Sequence, residues 1–143
     1  MDKDPVTVEC VYNVSPIEVW TALTNNEEIK KWYFQLEEFK PEVGFKFQFS
    51  GGPDDGPQFL HLCEITQLIP NKKLAYTWRY DGYPGNSEVS WELFEVPQGT
   101  RLKVTHTGLE SFAENGKDFS KDSFNGGWNY FVNDALKNYL EKN

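Results

Sequence analysis

Residues Asn13–Tyr33 read NVSPIEVWTALTNNEEIKKWY. Ser15 followed by Pro16, with Glu18 three positions on, has the form of a capping box. In that motif the serine hydroxyl and the glutamate carboxylate each take up a backbone N–H, and proline suits the first helical position. Val19 and Leu23, with either Trp20 or Ala22, form an apolar stripe. Asn25 or Asn26 then restarts a second short helix through Lys31. Helices of this length are marginal in water unless they pack on something larger. The flanking sequence says what that is.

Upstream, Val6–Asn13 alternates Val6, Val8, Cys10 and Tyr12 against more polar neighbours, as a half-buried strand does. Downstream, strand character is expected at Tyr33–Phe39 and Phe45–Phe49, with a turn at Pro41–Gly44. Gly51–Gln58 (GGPDDGPQ) is a loop by composition. Phe59–Ile69, Lys72–Tyr80, Ser87–Val96 and Arg101–Thr107 are four further strands, the last two joined by a hairpin turn at Gln98-Gly99. A loop from Gly108 to about Lys121 follows. In GWNYFVNDALKNYLEKN, Trp128, Phe131, Val132, Ala135, Leu136, Tyr139 and Leu140 fall on one face of a long amphipathic helix. Runs of strands closed by a helix read as α+β. An antiparallel sheet with one apolar face needs a cover, and the terminal helix is that cover.

The 143 residues are one domain's worth. A net charge of −8 argues against nucleic acid and anionic membrane surfaces, which call for a basic footprint. The start, MDKDPVTVEC, has no basic stretch leading into a long apolar run. No signal peptide or membrane insertion is expected, and a cytoplasmic location is the default. Cys10 and Cys63 read as two reduced thiols. The anomaly is 16% aromatic residues. Rings burying about 150–250 Å² each need either a very aromatic core or a cavity to line.

Taken in order, NVSPIEVWTALTNNEEIKKWYF, LIPNKKLAYTWRY, SEVSWELFEVPQGTRLKVTHTGL and GWNYFVNDALKNYLE resemble the START-like (helix-grip, birch-pollen-allergen-like) superfamily. Within it, the similarity is to the branch named for the activator of the ninety-kilodalton heat-shock chaperone's ATPase. The resemblance spans nearly the whole chain. It implies one helix-grip domain over residues 1–143, with a curved antiparallel sheet of about six to seven strands around a long C-terminal helix. It also implies a hydrophobic cavity between them, closed at one end by the two short helices after the first strand, with Trp32 at the mouth. Leu68-Ile69-Pro70-Asn71 departs from the family's paired prolines and Val43-Gly44-Phe45 from its double glycine, which touches turns and not chemistry.

On this reading the expected function is binding of a small lipid-like or aromatic ligand. The lining candidates are Trp32, Phe47, Tyr76, Trp78, Trp91, His106, Trp128 and Phe131. The alternatives are a chaperone-associated interaction module in the stress response, and a START-like cyclase or hydrolase using His106 or Glu64 as acid or base. In the eukaryotic activator, ATPase stimulation is associated with a separate N-terminal domain, so the chaperone role ranks second. No cofactor, catalytic residue or metal is expected. A site from His61, His106 and Glu64 has no supporting ligand spacing. His106 shares a face with Leu102 and Val104 and is either a satisfied core histidine or a polar group orienting a ligand. The face of His61 is ambiguous. Arg79 alternates to the outside, and Glu27-Glu28 and Glu37-Glu38 read as solvated surface. Asp54-Asp55 offers too few oxygens for calcium. Gly126-Gly127 either let the helix backbone pass close to the sheet or leave room at the cavity mouth.

Overall fold

The computed structural model describes residues 5–52, 58–116 and 119–141. The strands are β1 (Val6–Tyr12), β2 (Lys46–Gly51), β3 (Phe59–Ile69), β4 (Lys73–Tyr80), β5 (Ser87–Val96) and β6 (Gly99–Thr107). They form one curved open antiparallel sheet in the order β1-β6-β5-β4-β3-β2. Helices α1 (Pro16–Thr24) and α2 (Asn26–Trp32) follow β1. A 3-10 helix, Leu109–Asn115, leads to the terminal helix, which runs as α3 (Lys121–Asn129), a π-helical stretch (Tyr130–Ala135) and α4 (Leu136–Glu141). No helix among the described residues is long and apolar enough to cross a membrane.

The period-2 pattern puts one side of every strand inside. Val6, Val8 and Tyr12 of β1, Leu102, Val104 and His106 of β6, and Val89 and Trp91 of β5 are all buried on the concave face. The register aligns them, with Val8 opposite Val104 and Val104 opposite Trp91. From the helix side Trp128, Val132 and Leu136 descend onto this face. The Tyr12 hydroxyl donates to the Val132 carbonyl at 2.6 Å, tying the first strand to the last helix. The π-helical stretch lies at this contact, where a side chain captures a carbonyl of the helix. The Cys10 and Cys63 thiols are both free.

Several local expectations change. Ser15 is the N-cap of α1, but its side chain makes no capping bond. The amides of Glu18 and Val19 donate to its carbonyl instead, at 3.1 and 3.2 Å. Asn25 caps α2 through its side chain, accepting from the Glu28 amide at 3.2 Å. Tyr33–Phe39 is not a strand. Its alternating apolar residues turn inward rather than joining the sheet, with Leu36 and Phe39 buried. The Tyr33 ring is wedged between Phe131 and Trp91, at centroid distances of 4.9 and 6.0 Å. The turn between β5 and β6 is Pro97-Gln98, and Gly99 already belongs to β6. Gly99 has φ of 143°, and a Cβ there would collide with the Tyr12 carbonyl. The expected loop after Gly108 contains the 3-10 helix, because Leu109 and Phe112 are three apart and both reach the core. The terminal helix begins at Lys121, before the glycine pair, with the Ser120 hydroxyl accepting from the Ser123 amide. Most of the acidic loop, including Asp54-Asp55, lies outside the described residues.

Candidate functional site

Along most of its length the space between sheet and helix is filled. At one end it opens into a cleft of about 450 Å³. Small-molecule sites commonly fall at about 300–1,000 Å³. The sheet contributes Phe59 and His61 from the start of β3 and Trp78 and Tyr80 from the end of β4. Gly51-Gly52 and Phe34 form the rim on the β2 side, and Phe119 and Phe124 close the side next to the 3-10 helix. The terminal helix contributes Trp128, Phe131, Gly126 and Gly127. A Cβ added at either glycine would meet nothing within 4 Å. The pair therefore leaves open space rather than a tight backbone contact.

Three of the expected lining residues, Trp78, Trp128 and Phe131, stand in this cleft. Trp32, Phe47, Tyr76 and Trp91 surround a separate void of only about 20 Å³ deeper in the core, scarcely more than one water needs. Their polar atoms are already paired. The Trp32 indole donates to the Ala22 carbonyl at 3.0 Å, so Trp32 pins α2 against α1 and does not guard a mouth. The Trp91 indole donates to the Tyr76 hydroxyl at 3.0 Å, and that hydroxyl lies 3.1 Å from the Tyr33 hydroxyl.

His106 is fully buried behind the cleft wall, and its hydrogen bonds define its tautomer. Ser87 donates its one hydroxyl hydrogen to the Trp78 carbonyl at 2.7 Å. Its oxygen must therefore accept from His106 Nε2–H, 2.8 Å away. His106 Nδ1 accepts the Trp128 indole N–H at 3.0 Å. Both ring nitrogens are satisfied inside the protein, and the partners are Ser87 and Trp128 rather than Thr105 or Thr107. Burial pushes its pKa down to about 3, so the ring is neutral. This chain holds Trp78 and Trp128, two walls of the cleft, in fixed positions.

His61 is different. Its ring is 6% exposed, with the Phe49 ring stacked on it at 4.6 Å and Trp78 edge-on at 4.9 Å. Nδ1 lies 2.9 Å from the Phe59 carbonyl and 3.3 Å from the Phe49 carbonyl. Carbonyls only accept, so Nδ1 carries the hydrogen and Nε2 a lone pair. Burial lowers the pKa to about 4, against the opposing pull of the two carbonyls. Alternation left the face of His61 open, because Leu60 and Leu62 are as apolar as Phe59 and Cys63; the inward burial of Cys63 and Ile65 settles it. Glu64 is on the opposite face, and the described residues contain no group of three metal-ligating side chains. Neither residue considered as acid or base, His106 or Glu64, lines the cleft.

The contributions of Phe34 and Phe119 had no sequence signal, since they depend on how segments outside the sheet fold back, and Phe124 had none because its turn of α3 lies ahead of the apolar stripe that starts at Trp128. Gly126-Gly127 carried one, in that two adjacent glycines within a helical pattern ask for a reason.

Residues 13–141 match the family model described as activator of Hsp90 ATPase homolog 1-like protein. No curated protein matches the chain. Among solved structures, a protein from Mesorhizobium loti is 28% identical, with a TM-score of 0.77 over 96% of this chain and 97% of its own. One from Chromobacterium violaceum is 17% identical, with a TM-score of 0.81 over 98% and 99%. A protein of the dynemicin biosynthetic locus is 23% identical, with a TM-score of 0.79; it covers 99% of this chain, which spans 48% of its length. The last two share the fold.

Proposed function

The chain belongs to the activator of Hsp90 ATPase homolog 1-like family, and from that premise we propose that residues 1–143 act as one helix-grip unit that binds a small aromatic or lipid-like molecule in the cytoplasm. The observation that carries this reading is the contrast between a close-packed interior and one open end walled by rings. A protein this rich in aromatics could fill the end as it fills the middle. Gly126 and Gly127 line that end and have open space beside them. Apolar ligand surface entering the cleft gains about 25 cal/mol per Å² removed from water. Trp78 and Trp128 present ring surfaces to it, with a mutual centroid distance of 5.4 Å. The reading is one of binding rather than conversion, since the cleft is walled by rings and the two residues considered as acid or base, His106 and Glu64, do not line it.

A thermal-shift screen against fatty acids, sterol-like compounds, flavonoids and other planar aromatics tests it. A ligand at 100 times its Kd adds about 2.7 kcal/mol. For a chain of this size that is a rise of roughly 5–10 °C. A flat response to every class removes the proposal.

A second reading, docking of the ninety-kilodalton chaperone, draws on the family's description and on a groove between the short helices and α4. Ile17 is 61% exposed there, alongside Leu140 and Tyr139. Capture of purified chaperone by the wild type, lost in Ile17→Asp, is the result this reading expects. No capture by either sinks it.

A further inference from the structure

The cleft carries a chemical preference as well as a shape, and the argument rests on the binding proposal above. Its walls are rings, so the occupant is flat and apolar over most of its surface. One buried polar side chain among them has unused capacity. His61 donates through Nδ1–H to backbone carbonyls, and among the described residues its Nε2 has no partner. That nitrogen is not sealed away: the one buried side-chain polar atom that is both sealed and unpaired among the described residues is the Asn26 amide oxygen. With the ring neutral and its hydrogen fixed on the far nitrogen, His61 can only accept.

Tyr80 completes the polar side of the cleft. Its hydroxyl accepts the Trp78 indole N–H at 2.8 Å, leaving its own hydrogen for a ligand oxygen. Charge points the same way. The one formally charged described residue lining the cleft is Asp122, an acid. Among the described residues no Lys or Arg lines the cleft, and a ligand carboxylate there meets a lone pair on His61.

We propose that the cleft selects planar aromatic ligands bearing a hydroxyl hydrogen-bond donor, read by the Nε2 lone pair of His61, over isosteres that lack the donor and over carboxylates. A hydroxyl can give its hydrogen to His61 or accept one from Tyr80. Tyr80 can donate to the oxygen of any of these ligands, but an ether or a carboxylate has no hydrogen to give and leaves the His61 lone pair unpaired. Discrimination by a buried acceptor is strong because the wrong ligand leaves that acceptor both dry and unpaired.

The test uses the intact chain at pH 7.5 with three probes of matched shape: 2-naphthol, 2-methoxynaphthalene and 2-naphthoate. Dissociation constants are measured by calorimetry for the wild type, His61→Phe and Gly127→Phe. The proposal expects naphthol to bind about tenfold more tightly than the methyl ether, with naphthoate weakest. In His61→Phe, which keeps a ring against Phe49, naphthol should fall to the affinity of the ether while the ether is unchanged. Equal binding of naphthol and ether to the wild type, with both weakened by Gly127→Phe, leaves the cleft as the site and overturns the hydroxyl preference. Naphthoate binding as tightly as naphthol also overturns it. No binding of any probe overturns the binding reading and this one together. Should His61→Phe fail to fold, the 15N resonance of His61 Nε2 in the wild type decides. It should move on saturation with naphthol and stay still with the ether, and an unmoved resonance with bound naphthol counts against the proposal.

Discussion

His61 and His106 sit deep in aromatic surroundings, hydrogen-bonded to neutral groups, which makes both of them liabilities in acid. Each has a folded-state pKa below its ordinary value of about 6.5, near 4 for His61 and near 3 for His106. Above pH 6.5 both are neutral whether the chain is folded or not, and neither affects stability. Below it the unfolded chain takes up protons that the folded one refuses, so stability falls with pH until the folded-state values are reached. Each contributes about 1.4 kcal/mol per pH unit within that window. Urea unfolding should lose about 4 kcal/mol between pH 8 and pH 5, above the range where carboxylates titrate. His61→Phe should lose about half as much. A pH-independent midpoint over that range would mean that neither ring is buried as described. The inward position of His106 was readable from its place beside Leu102 and Val104. Its partners were not, because Ser87 and Trp128 come to it from two other elements.

The terminal helix shows how an element can be legible in outline and opaque in detail. Trp128, Val132 and Leu136 follow the expected stripe and are all buried. The π-helical stretch between Tyr130 and Ala135 carries no local mark, since its associated contact comes from Tyr12, 120 residues away. Tyr12→Phe leaves the Val132 carbonyl without that donor and should cost about 1–3 kcal/mol in chemical denaturation. A loss near zero would mean that water replaces the hydroxyl without penalty. The glycine pair predicts the opposite sign. Gly126 and Gly127 are helical and have open space beside them. Gly126→Ala should therefore stabilise the protein by about 0.5–1 kcal/mol, through helix propensity alone. A destabilised alanine variant would show that the space is not free. Tyr33–Phe39 failed as a strand because alternation records which residues want burial. It does not record whether the backbone finds a ladder, and the rings of this segment found the core directly.

At the scale of the molecule, the succession of strands along the chain and the helix cover follow from period-2 and period-3.6 patterns, whereas the pairing of β1 with β6 does not. Where the interior stays open does not follow from those patterns. It depends on side-chain volume summed over distant segments: Tyr33 fills the middle, whereas Phe34, its neighbour, stacks on Phe49 at 4.2 Å and stops at the rim. Of the eight residues expected to line a cavity, seven are buried and Phe131 is half-buried, and three of the eight, Phe131 among them, reach the open end. The central claim is that this end is kept empty for a ligand. Calorimetric titration of 2-naphthol into the wild type and into Gly127→Phe tests it most directly, because Gly127 lines the cleft and has open space beside it. The account predicts saturable binding to the wild type, with affinity reduced at least tenfold in a variant whose thermal unfolding is unchanged or higher. Equal affinity in the two proteins would place the ligand elsewhere, and no binding to the wild type would contradict the claim outright.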